Sequence, residues 1–224
     1  MVLITLVRHG NTDANNQRIL QGQTDTILND MGHRQASLVA NRLKQERFDK
    51  IYCSDLLRCQ QTAQAIRDHH VDTPITLVRE LRERSFGDLS GLSIKHVFAQ
   101  SNQQKMDAST FVKNHGGETE KEFAKRVIDA YINIVNEATQ EGYQHILIVS
   151  HGGCLRSLCL WWTSTTKYEY DGDLDRLRRG HHGNTGVSQV RVSQGNPTVG
   201  VVELFSCSNH LNSIDSTFDI PPSV

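Results

Sequence analysis

Hydrophobic and polar positions follow two periods along this chain, and the switches between them mark its elements. Val2 to Val7 is an unbroken run of β-branched residues and leucine that ends in Arg8-His9-Gly10. Such a run reads as a strand buried on both faces with polar groups at its C-terminal end. Ile146-Leu147-Ile148-Val149-Ser150 repeats the pattern and runs into His151-Gly152-Gly153. Between these two runs the period lengthens. Asn29 caps a predicted helix from Asp30 to about Gln45, with Ala36, Val39, Ala40 and Leu43 on one stripe. A strand over Phe48 to Ser54, a helix over Leu56 to Asp68 and a strand over Pro74 to Val78 follow. Proline cannot donate to a ladder, so that last strand belongs at an edge. Phe123, Val127, Ala130, Ile134, Val135 and Ala138 give Thr119 to Glu141 the stripe of a long amphipathic helix. A helix over Cys154 to Trp162 and closing strands over Val187 to Val192 and Val199 to Phe205 complete the series.

Strands alternating with helices of this length predict an α/β fold: three layers, with a mostly parallel central sheet flanked by helices and right-handed crossovers. Glu80 to Lys113 is irregular and polar, the pattern of a loop with short helices lying over the sheet edge. No repeat of fixed period and no Pro/Gly/Ser linker interrupts the chain. The expectation is one domain over residues 1–212 with a lid inserted near 92–116 and a frayed tail over 213–224.

Composition narrows the function. The 24 Lys+Arg balance 25 Asp+Glu for a net charge of −1, so no global field draws nucleic acid or an anionic membrane, and anion binding has to be local. Arg176 to His182 is one short basic stretch in a neutral chain and does not change that reading. Five cysteines without C-x-x-C spacing suit reduced thiols, no run reaches the length of a bilayer span, and the N-terminal run lacks a basic flank. A soluble, cytoplasmic protein is expected, with its oligomeric state, a homodimer included, left open. His69-His70 and His181-His182 have no carboxylate or thiol at ligand spacing and read as solvated or helix-end histidines rather than metal ligands. No metal site and no cofactor is predicted.

The chemistry concentrates where the strands end. Two strand-His-Gly turns bring two imidazoles to one cleft if their strands are neighbours, and open α/β sheets place ligands at the C-terminal ends of strands. Arg8 precedes His9, Arg58 follows the second predicted strand, and Glu83 sits in Leu81-Arg82-Glu83-Arg84-Ser85-Phe86-Gly87. Two histidines, two arginines and a carboxylate meet the needs of phosphoryl transfer: a nucleophile, cations for the phosphoryl oxygens, and an acid for the leaving oxygen.

These segments recur in a recognisable order. Val7-Arg8-His9-Gly10-Asn11-Thr12-Asp13-Ala14-Asn15, Leu20-Gln21-Gly22, Leu28 to Gly32, Ser54 to Ala63, Leu81 to Gly91, Gly116-Gly117-Glu118-Thr119, Val149-Ser150-His151-Gly152-Gly153 and Asn184-Thr185-Gly186 together resemble the histidine phosphatase superfamily, also called phosphoglycerate-mutase-like, from Leu3 to about Val192. The resemblance implies a phosphoglycerate-mutase-like fold and a metal-independent phosphomonoesterase. By it His9 is the residue phosphorylated, Arg8, Asn15, Arg58 and His151 line the phosphate pocket, and Glu83 donates the proton. Gln21, Gly22 and Gly152 present backbone or amide groups to a small-molecule phosphate ester, and Thr185 joins them as a substrate-binding position. Glu80, the competing carboxylate, falls outside the Leu-x-Glu-x-x-Phe-Gly pattern. Asn11 and Ser90 stand where many members carry Glu, which bears on local hydrogen bonding and substrate choice.

Cofactor-dependent mutases of the family enclose their site with a long Pro-rich insertion, whereas no proline falls between Gly91 and Gly117. The sequence looks most like the fructose-2,6-bisphosphatase and broad-specificity branch, acting on sugar or glycolytic phosphates. Phosphoglycerate mutase is the alternative, and a catalytically idle phosphate-binding or protein-interaction module a second. Gln23, Arg82, Arg84, Lys95, His115 and Arg178 to His182 are the candidates for gripping a second anionic group on the substrate.

Overall fold

In the computed structural model, which describes residues 1–212, a single sheet runs through the chain. The expected frayed tail from Ser213 lies outside the described residues. The strands are β1 (Val2–Arg8), β2 (Lys50–Cys53), β3 (Ile75–Leu77), β4 (His145–Ser150), β5 (Lys167–Glu169), β6 (Val187–Ser193) and β7 (Asn196–Cys207), in the order β3-β2-β4-β1-β6-β7-β5. Only β6 runs against the rest, pairing antiparallel with both β1 and β7, so the sheet is mostly parallel as expected. The Pro74 strand sits at the β3 edge, where Pro74 accepts from the Ile51 amide through its carbonyl.

The helices are α1 (Asp13–Asn16), α2 (Asp30–Leu43), α3 (Leu57–Arg67), α4 (Ile94–Gln103), α5 (Ala108–Asn114), α6 (Glu120–Gln140), α7 (Gly152–Ser164) and α8 (Leu174–Arg179). The unbroken apolar strands are explained by what lies on each face. Ile4, Leu6, Ile146 and Ile148 pack against Val127, Tyr131, Ile134, Leu155, Leu158 and Trp162 of α6 and α7. Val7, Ile51, Leu147 and Val149 pack on the other face against Val39, Leu43, Ala63 and Ile66 of α2 and α3. Successive residues of one strand thus enter opposite cores, which is the three-layer arrangement. The irregular segment becomes α4 and α5, gathered with Leu20 and Phe86 around a small core of Leu89, Val97, Phe111 and Val112.

Three of these strands and helices have no counterpart in the sequence reading. α1 and β5 span four and three residues, too few to show a period, and α8 is a short helix ended by Gly180 at φ 63°. The basic stretch finds its explanation in α8, because Arg176, Arg178 and Arg179 occupy its last turn, where cations favour the helix dipole. His182 corrects the solvated alternative but not the helix-end one: it is buried, 2% exposed, with Nδ1 donating to the carbonyl of Gly180, the C-cap of α8, and Nε2 accepting from the Ser188 hydroxyl. His69 is exposed, whereas His70 is half-buried with its ring edge against Phe48.

Candidate active site

β1 and β4 lie side by side, Arg8 in register with Ser150, and the chain leaves each strand through a histidine. The His9 amide donates to the Ser150 carbonyl at 3.0 Å, and the His9 and His151 rings meet edge-on with centroids 5.2 Å apart. Both are buried, at 3% and 0% exposure. His9 Nδ1–H donates to its neighbour's carbonyl, Gly10 O, at 2.7 Å. A carbonyl accepts only, so the proton is on Nδ1 and Nε2 carries a bare lone pair. Burial, then Arg58 and Arg8, hold the His9 pKa well below the usual imidazole value, so the ring is neutral at physiological pH.

Arg58 enters from the first turn of α3 and is 1% exposed. Its guanidinium donates to His151 Nδ1 (3.3 Å), the Thr24 carbonyl (2.8 Å), the Thr26 hydroxyl (3.2 Å) and the Gly22 carbonyl (2.8 Å), leaving one of its N–H groups uncommitted. Accepting at Nδ1 makes His151 the Nε2–H tautomer, which donates to Ser54 Oγ at 2.9 Å. Burial and the neighbouring Arg58 keep His151 neutral too. Arg8 donates to the His182 carbonyl at 2.6 Å, while its Nε is buried and finds no acceptor among the described residues. A buried, unpaired guanidinium N–H is an unusual expense, and it suits a site built to receive an anion.

Glu83 is held from two sides: Oε1 accepts from the Arg84 amide at 2.8 Å and Oε2 from the Gly153 amide at 3.0 Å. Gly153 admits the carboxylate because it has no Cβ, which would overlap Glu83 Oε1. Gly152 opens α7, and a Cβ there would lie 3.3 Å from Arg8 Nε. Gly22 takes φ 51°, a conformation that favours glycine, to turn its carbonyl onto Arg58.

The remaining predicted positions hold the walls. Asn15 Oδ1 accepts from the Thr12 amide and hydroxyl, both at 3.1 Å, and from Asn184 Nδ2 at 3.4 Å. Gln21 Oε1 accepts from the Thr26 hydroxyl at 2.7 Å and lies 3.0 Å from Thr12 Oγ1, whose single proton it shares with Asn15 Oδ1. Thr185 spends its amide on the Arg8 carbonyl (3.0 Å) and its hydroxyl on His210 (3.1 Å), so its role is to hold the turn beside β1.

Among the second-anion candidates, Arg82 is taken up by a bidentate pair with Asp55, 2.7 Å on both arms. Lys95, Arg178 and Arg179 are exposed, and His115 Nδ1 is tied to the Phe111 carbonyl at 2.8 Å. Gln23 Nε2 donates to the Glu83 carbonyl at 3.2 Å. Arg84 donates through Nε to the Glu118 carbonyl at 2.9 Å, pairs through one Nη with Glu120 at 3.6 Å, and keeps its other, buried Nη without an acceptor among the described residues.

Sequence reasoning missed several supports. Thr62 Oγ1 accepts from the Gly10 amide at 3.0 Å, and Asn184 Nδ2 donates to the His9 carbonyl at 3.0 Å. Thr62 and Asn184 stood inside quoted motifs without a role. Arg126 stood in none, and it reaches the segment that carries Glu83. Among the described residues, no group of three or more His, Cys, Asp or Glu is placed to hold a metal ion. None of the described helices is long and apolar enough to cross a membrane.

The sequence profile described as "Histidine phosphatase superfamily (branch 1)" matches residues 4–204. The chain belongs to this superfamily. The "Broad-specificity phosphatase YOR283W" of Saccharomyces cerevisiae is 33% identical over 173 residues, 75% of this chain and 72% of the relative. A "2,3-bisphosphoglycerate-dependent phosphoglycerate mutase" of Brucella anthropi is 33% identical over 164 residues, 70% of this chain and 79% of the relative. The solved structure of Bacillus stearothermophilus YhfR superimposes with a TM-score of 0.76 at 26% identity, covering 94% of this chain and 100% of that one. The fold is thus that of the histidine phosphatases, and with named phosphatases among its superfamily relatives the chain is a phosphoric monoester hydrolase.

Proposed function

We propose that this histidine phosphatase hydrolyses small sugar or glycolytic phosphates, without a metal, through a phosphohistidine on His9. The observation that carries the reading is the Nδ1–H bond from His9 to Gly10, which leaves a neutral ring with its Nε2 lone pair bare beside two arginines. Nε2 attacks phosphorus in line, the N–P bond forms, and the P–O bond to the alcohol breaks. Arg8, the free N–H of Arg58 and the polar pocket wall receive the phosphoryl oxygens, while Glu83 gives its proton to the departing alkoxide. Water then attacks phosphorus and yields its proton to the Glu83 carboxylate. The P–N bond breaks with its electron pair returning to Nε2, releasing inorganic phosphate.

Residues 92–116 serve in this reading as a short lid that admits water to the phosphoenzyme. The mutase alternative is favoured by the Brucella anthropi relative, and it differs in where the phosphoryl group goes. A panel of phosphorylated metabolites screened for phosphate release, with phosphoglycerate mutase activity assayed alongside, separates the two. Release of phosphate from sugar phosphates or phosphoglycerates supports hydrolysis. Isomerisation of phosphoglycerate without net release overturns it.

A further inference from the structure

Glu83 projects from a stretch with little regular structure: a 3-10 turn over Arg79–Leu81 precedes it, and the next such turn begins at Gly87. What fixes that stretch is a side chain of α6. The Arg126 guanidinium has five N–H donors, and all five are spent here. Two fork onto the Glu118 carboxylate, Nε to Oε1 and an Nη to Oε2, at 2.7 Å each. The other three reach the carbonyls of Glu80 (2.7 Å), Arg82 (2.9 Å) and Glu83 (3.3 Å). Glu118 closes the ring from the far side, its Oε2 accepting from the Ser85 amide at 2.8 Å and its carbonyl from Arg84 Nε at 2.9 Å. The residues on both sides of Glu83 are therefore tied to one ion pair. On the sheet side, the Leu81 carbonyl accepts from Ser150 Oγ at 2.9 Å. The pair is only 21% and 22% exposed, so water does not readily replace these bonds.

A lysine at 126 would supply the charge but not the geometry, because a compact ammonium cannot bridge a carboxylate and three diverging carbonyls as a planar fork does. We infer that Arg126, forked with Glu118, is the positioning residue that sets the Glu83 carboxyl against the leaving oxygen. This rests on the reading of Glu83 as the proton donor.

Leaving-group dependence tests it, since p-nitrophenolate departs without a proton and an alkoxide does not. kcat is measured on p-nitrophenyl phosphate and on alkyl phosphates for the wild type, Glu83→Gln, Arg126→Lys, Glu118→Gln and the double variant Glu83→Gln/Arg126→Lys. Arg191→Gln, which breaks the surface pair of Arg191 with Glu203, is the control. Vanadate affinity reports whether the phosphate pocket is intact. Arg126→Lys is expected to lower kcat on alkyl phosphates by about 10- to 100-fold with KM and vanadate affinity kept, and on p-nitrophenyl phosphate by less than about 3-fold. The double variant is expected to fall no further than Glu83→Gln, because both act through one group. Should Arg126→Lys fail to fold, Glu118→Gln carries the test with the same selective loss expected. Equal losses on all substrates, or none, in a folded Arg126 or Glu118 variant while Glu83→Gln remains selective overturn the positioning role. An unselective loss in Glu83→Gln itself overturns the proton-donor reading instead.

Discussion

The amide of Gly153 donates to Glu83 Oε2 at 3.0 Å, and no atom beyond Cα separates the backbone of α7 from the carboxylate. The helix start that follows His151 is thereby the seat of the proposed acid. Gly153→Ala pushes Glu83 away from that seat, and kcat on alkyl phosphates is expected to fall by about 100-fold, the cost of a displacement near 1 Å. Gly152→Ala, whose Cβ would meet Arg8 Nε at 3.3 Å, is expected to weaken vanadate binding instead. Steady-state kinetics and vanadate inhibition on the two variants check the contrast.

His9→Ala is expected to abolish turnover, by about 10⁴-fold or more, while leaving the melting temperature nearly unchanged. Acid and alkali quenching of the wild type with a labelled substrate is expected to trap an acid-labile, alkali-stable phosphoenzyme that the variant lacks. Label on a serine would contradict the mechanism.

Chelation is expected to leave activity intact, because in the proposed mechanism His9 supplies the nucleophile and Arg8 and Arg58 supply the positive charge. Vanadate is expected to inhibit competitively. Activity lost to EDTA and restored by Mg²⁺ or Zn²⁺ would refute this.

Arg84 keeps a buried NH2 without an acceptor among the described residues and lies next to Glu83 in sequence. If the substrate carries a second anionic group, Arg84→Ala is expected to cost about 1.5–3 kcal/mol, a rise in KM of about 10- to 100-fold on that substrate. KM for p-nitrophenyl phosphate is expected to stay nearly constant. Arg82→Ala is expected to leave both KM values nearly alone, since Arg82 is already paired with Asp55.

Acid weakens this fold through its buried histidines. Burial holds His145 at about 4, His182 at about 3 and His210 at about 4, against 6.5 for the free side chain. Between those values the unfolded chain binds protons that the folded chain refuses, so stability is full above pH 6.5 and falls as pH drops towards 4. His145 Nε2 shares a hydrogen bond with Thr5 Oγ1 at 2.8 Å, which a glutamine can replace. His145→Gln is expected to unfold with about one proton less taken up in that window. Denaturant melts across the pH range measure it, and an unchanged slope would assign the acid lability elsewhere.

How much of this was legible depends on which atoms do the holding. The convergence of His9 and His151 could be read ahead because two buried strands ended in the same His-Gly turn, and such strands pair in a parallel sheet. The three-layer fold was legible for the same reason, since Ile146 to Val149 is apolar at every position. Arg126 was invisible because most of its acceptors are carbonyl oxygens, which any residue supplies. His182 follows a helix end, one of the two alternatives read for it, but the solvated one fails because Ser188 and Phe205 come from strands that close over it. Arg82 looked like a free cation until the fold brought Asp55, far off in sequence, against it.

The position of β1 has a consequence for how the molecule is made. The strand that ends at His9 leaves the ribosome well before the strands it pairs with, since its neighbours are residues 145–150 on one side and 187–193 on the other. Its ladder has no partners until those residues have been synthesised. Contacts of such long sequence separation close slowly, because the loop entropy is lost before the pairing is gained. The proposed phosphate pocket is therefore a late product of folding, and a nascent chain carries His9 without His151 and the strands that bury it.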